Sequence, residues 1–113
     1  MTINEYQEAC LRTEPPAAKI SETTRLENGL MGLNGEAGEA IDILKKFLFQ
    51  GHELDKKHLA RELGDVAWYL AVTADALGYY LEDIFQMNID KLKARYPDGF
   101  DQERSVNRKE GDI

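Results

Sequence analysis

The chain has 113 residues, a single cysteine and a formal charge of −7, which is enough for one domain but near the size where one core covers only about two-thirds of the surface the unfolded chain exposes. The acidic balance excludes general affinity for a nucleic acid polymer, which calls for a basic patch. Cys10 alone can form neither an intramolecular disulfide nor a thiolate zinc cluster, and no apolar run approaches the roughly 20 residues of a bilayer span, so a cytoplasmic protein with no signal peptide and no membrane partner is expected.

Ile3, Tyr6 and Cys10 recur at helical spacing, with Thr2 or Asn4 as N-cap, and predict a short helix from Thr2 to Arg12. Pro15 and Pro16 end it, and a loop to about Ser21 follows. From Thr23 or Thr24 to Phe49, Leu26, Leu30, Leu33, Ala37, Ile41, Leu44 and Leu48 alternate at spacings of three and four, the pattern of a long helix with one buried stripe, closed by Gly51. Glycines at 29, 32, 35 and 38 oppose this helix by about 1 kcal/mol each relative to alanine. Gly29, Gly32, Glu36 and Glu39 share a neighbouring ribbon that Ile43 and Phe47 continue, so small residues that admit a close approach lie beside two acids.

Asp55 caps the next predicted helix, Lys56 to Leu77, with Gly78 as its stop and Leu59, Leu63, Val66, Leu70, Thr73 and Leu77 as its stripe. Glu62, Asp65, Tyr69, Val72 and Ala76 run alongside, with Trp68 at the edge. The last helix, Leu81 to Arg95, turns Leu81, Ile84, Phe85, Asn88 and Leu92 inward and places Asn88, Lys91 and Arg95 on a common side. A Pro97-Asp98-Gly99 turn leads to a tail, 101–113, of little apolar content that is either flexible or packed on a partner. The fold class is therefore all-α: three long helices and a short N-terminal helix in one domain, 1–113, with its core in 23–100.

Two segments carry the chemistry. GEAGEAID places Glu36 and Glu39 three residues apart, and ELGD does the same for Glu62 and Asp65, so each pair shares a helix face. An isolated ExxE is ordinarily a solvated face. Two pairs, each beside a buried stripe, make an oxygen-only cage for Mg²⁺ or Mn²⁺, cations that bind substrate phosphates. Asn88, Lys91 and Arg95 suit phosphate oxygens, Trp68 or Tyr69 a base, and Lys45 or Lys46 either phosphates or solvent. Hydrolysis of a polyphosphate by an activated water is the simplest reaction for such a set. A catalytically silent oligomerisation module is the alternative from another class. A di-iron bundle ranks last, because neither His52 nor His58 stands three residues after a Glu, and neither histidine is assigned a catalytic function.

GEAGEAIDILKK, then ELGDVAWYLAVTADALG, then NIDKLKARYPDGF together resemble the MazG-like members of the all-α nucleoside triphosphate pyrophosphohydrolases, over roughly residues 23 to 100. The resemblance implies cleavage of (d)NTPs to nucleoside monophosphate and pyrophosphate. Glu36, Glu39, Glu62 and Asp65 match the family's Mg²⁺ ligands, with Glu36 or Glu39 also suited to activating water. Asn88 and Lys91 match its phosphate or sugar contacts, Arg95 matches less closely, and Asp42 extends the first motif by one step. The resemblance further implies a homodimer or homotetramer whose four-helix core is completed between subunits. Phosphoribosyl-ATP pyrophosphohydrolase and dimeric dUTPase share the metal motif, and RYPDGF favours the MazG-like branch.

Overall fold

Four of the five α-helices among the described residues begin where a short polar side chain takes up a free N–H group of the first turn. In the computed structural model, which describes residues Met1–Asp112, Thr2 and Glu5 form a reciprocal capping box at the start of α1 (Ile3–Leu11). Ser21 and Thr24 do the same for α2 (Glu22–Phe49), after a 3₁₀ turn at Pro16–Ile20 within the expected loop. Asp55 accepts from the His58 N–H to open α3 (Lys56–Ala76). Gly51 and Gly78, at φ 74° and 83°, take the left-handed conformation that ends α2 and α3. Two further helices, α4 (Leu81–Arg95) and α5 (Gln102–Val106), complete an all-helical chain with no strand among the described residues. No helix among those residues is long and apolar enough to cross a membrane.

The chain divides into two compact units, Met1–Leu81 and the described residues from Glu82 onward. In the first, α2 and α3 pack antiparallel, with Gly29 against Thr73 and Gly32 against the Tyr69 ring. A Cβ on either glycine would collide with those side chains, so the absent side chains admit α3 to this closeness. Gly35 and Gly38 have open space where a Cβ would stand.

This packing corrects the expected stripes. The α2 surface against α3 is the glycine ribbon, while Leu30, Ile41 and Leu48 remain 55–60% exposed. On α3, Ala71, Val72, Thr73, Ala74 and Ala76 are buried, whereas Leu63 and Leu77 of the expected stripe are exposed. The Thr73 side chain and the Tyr69 ring fill the space beside these glycines and leave no room for a larger α2 residue, so the larger leucines fall on faces left uncovered among the described residues.

Polar side chains tie the first unit together from inside. Gln7, buried in α1, donates through Nε2 to the carbonyls of Ala71 and Tyr79 and accepts the Leu81 N–H at 2.9 Å. One amide thereby joins α1 to the end of α3 and caps the start of α4. Glu14, also buried, receives two N–H groups of Arg25 at 2.9 and 3.0 Å, and Arg25 reaches Asp75 at 2.7 Å.

In the second unit, Asn88 and Leu92 are exposed and not turned inward, since the apolar side of α4 has too few partners within its unit to bury them. The tail is neither featureless nor unattached: Asp101 caps α5, and Asp112 grips Arg95 through contacts of 2.6 to 3.0 Å. Packing at the glycines gives a direct test. Gly29→Ala is expected to lower stability by about 1–3 kcal/mol through overpacking, with part recovered by Thr73→Ala in the same chain. Gly35→Ala is expected to raise it by up to about 1 kcal/mol through helix propensity. Urea unfolding of the three variants checks the contrast.

Candidate metal centre

The antiparallel register that seats Gly32 on Tyr69 carries the α2 carboxylates, one turn further on, to the preceding turns of α3. Oxygens of Glu36, Glu62 and Asp65 lie within 4.8 Å of one another. Glu62 is buried at 7% exposure, Glu36 is half-buried, and Asp65 and Glu39 face solvent. Glu39 lies outside the three-oxygen set but close enough to act on both Glu36 and Glu62.

The electrostatics follow from crowding like charges. The Glu36 carboxyl is pushed up to about 7, first by the neighbouring Glu62 carboxylate, then by burial and by Glu39 and Asp65. Glu62 is held below the usual carboxylate range, first by its pairing with Glu36 and against the effect of burial, with further help from Glu39 and His58. Glu36 Oε2 and Glu62 Oε2 are both buried without a hydrogen-bond partner. Glu14 supplies the contrast: equally buried, it has both oxygens satisfied by Arg25. An all-oxygen group of acids with two buried, unpartnered oxygens fits a hard divalent cation.

The remaining expected site residues have other engagements. Asn88 and Lys91 are exposed on α4. Arg95 is ion-paired to Asp112, whose carboxyl it holds down. Trp68 Nε1 donates to Thr13 Oγ1 at 2.7 Å, and its ring meets Tyr69 edge-on at 4.9 Å. Lys45 and Lys46 both grip Asp42, at 3.1 and 3.0 Å, so Asp42 serves the lysines and is not seen supporting the acidic group. Sequence reasoning passed over His58, whose Nε2 stands 3.1 Å from Glu62 Oε1. Its signal was the four-residue spacing to Glu62, which puts both on one helix face.

Protonation makes this geometry testable. The folded chain keeps the Glu36 proton up to about 7 while the unfolded chain loses it near 4.5, so stability falls as pH rises across that window. Glu62 acts oppositely, contributing stability that is present above 4.5 and lost as pH falls through its lowered value. In chelator, Glu36→Gln is expected to flatten the loss of melting temperature between pH 5 and pH 8. Equal slopes in thermal unfolding of the two proteins would contradict the raised Glu36 carboxyl.

Comparison with known proteins gives one family match and one curated relative. Residues 25–100 match the MazG nucleotide pyrophosphohydrolase domain. The Gene 37 protein of Mycobacterium phage L5 is 35% identical over 114 residues, covering 96% of this chain and 100% of that protein. No solved structure matches the chain significantly. The matched residues contain both acidic pairs and the α4 positions Asn88 and Lys91, and the chain belongs to the MazG nucleotide pyrophosphohydrolase family.

Proposed function

We propose that this chain hydrolyses nucleoside triphosphates to nucleoside monophosphate and pyrophosphate, with Mg²⁺, or Mn²⁺ in its place, held by Glu36, Glu62, Asp65 and the adjacent Glu39. The observation that carries this reading is Glu62: a buried carboxylate, beside two other acids, with one oxygen left unpartnered. Such an oxygen is costly to bury unless a cation lies against it. A divalent cation held there supplies charge stabilisation to phosphate oxygens and makes water more acidic.

The chain's own residues divide the remaining work. Glu36 and Glu39 are the catalytic pair. Glu39, exposed at the edge of the group, accepts the proton of the attacking water, and Glu36 holds the cation from the half-buried side. Asn88 and Lys91 take phosphate or sugar, and Trp68 flanks the base. Lys46 and Arg95 contribute to phosphate binding only by exchanging Asp42 and Asp112 for it. The buried, reduced Cys10 suits a cytoplasmic setting.

The active form is a homo-oligomer, dimer or tetramer. Leu30, Ile41 and Leu48 on α2, and Leu63 and Leu70 on α3 with Leu77 at its C-cap, lie at helical repeats and are 37–60% exposed. Two such stripes are apolar surface that a second copy of the chain would cover.

Pyrophosphate release from a panel of (d)NTPs tests the reaction. Glu39→Gln is expected to lower the rate by about 10²–10⁴-fold, and no release from any nucleotide by folded protein with Mg²⁺ or Mn²⁺ sinks the enzyme reading. Sedimentation tests the assembly. Ile41→Glu with Leu70→Glu is expected to yield monomers of unchanged helicity, and a wild-type monomer at tens of micromolar would refute the oligomer.

A further inference from the structure

Glu62 is the one buried carboxylate of the acidic group, and its two oxygens differ. Oε1 faces His58 Nε2 at 3.1 Å, while Oε2 has no hydrogen-bond partner. The terminal torsion of a glutamate is broad and nearly two-fold, so nothing intrinsic decides which way the carboxylate plane turns. A donor standing against one oxygen biases it, and the half-exposed His58 ring supplies one. The backbone of His58 is held in the first turn of α3, where Asp55 Oδ1 accepts its N–H at 3.0 Å. Because an ionised carboxylate only accepts, the facing ring nitrogen carries the hydrogen, and the neutral ring and the imidazolium present the same donor.

We infer that His58 is a positioning residue for the divalent cation: it holds Glu62 Oε1 so that the other oxygen stays presented toward Glu36 and Asp65. This rests on the metal reading of the acidic group and adds to it a residue outside both acidic motifs. His58 touches neither substrate nor cation, and its effect passes through the orientation of Glu62. Partners that orient a ligand in this way typically change metal affinity by about 10–100-fold when removed.

Mn²⁺ titration of the full chain, by calorimetry or by loss of the free-ion EPR signal, tests the inference without recourse to activity. His58→Ala is expected to weaken Mn²⁺ binding about 10–100-fold, with helicity in chelator as in the wild type. His58→Gln, whose amide can donate from a similar place, is expected to recover most of that loss. Wild-type Mn²⁺ affinity in His58→Ala, when Glu62→Gln has lost it, overturns the role of His58. So does a His58→Gln variant as weak as His58→Ala. Wild-type affinity in Glu62→Gln overturns the metal reading itself, which separates the two failures.

Discussion

Where Gly29 and Gly32 lie against Thr73 and Tyr69, those α3 side chains press onto the α2 backbone more closely than any α2 side chain would permit. That closeness also holds the register. A slip of one turn would move one helix about 5.4 Å along the other, more than the 4.8 Å that spans the oxygens of Glu36, Glu62 and Asp65. The acidic group therefore depends on two residues that carry no chemistry. Helix propensity alone would replace them with alanine, which accounts for glycine persisting in the interior of a helix.

The first unit contains two acids buried to nearly the same degree, and the difference between them separates scaffold from site. Glu14 meets the guanidinium of Arg25 with both oxygens, and Asp75 extends the clamp to α3. The clamp closes on itself and leaves nothing for a ligand. Glu62 has one donor, one orphan oxygen and like charges for neighbours, an arrangement that folding alone would not favour. Buried charge is tolerated where it is paired, and the pairing of Glu62 is incomplete within the chain.

Much of this was legible in the sequence because it is local. Caps at Thr2 and Asp55, stops at Gly51 and Gly78, and the two acidic pairs depend on neighbours within four residues. The buried face of α2 was not legible in the same way. Hydrophobic periodicity marks every surface a helix will cover, and cannot say which is covered by its own chain. Leu30, Ile41 and Leu48 satisfy the pattern and remain exposed, while Gly29 has no hydrophobic signature and is buried. Gln7 and Glu14 were missed because their partners stand far along the chain, at Leu81 and Arg25, and a polar residue shows no sign of burial until those partners meet it. The acidic group was recognised from spacing. Its asymmetry, with Glu62 buried and Asp65 exposed, required the fold.

The grip of Asp112 on Arg95 organises the second unit. Both oxygens of Asp112 face the guanidinium, as a phosphate's would, and Lys91 and Arg108 add to the field that keeps this carboxyl ionised. Arg95 is thus neutralised within its own unit by a carboxylate 17 residues further along the chain, so charge rather than apolar burial ties the segment after α5 back to α4.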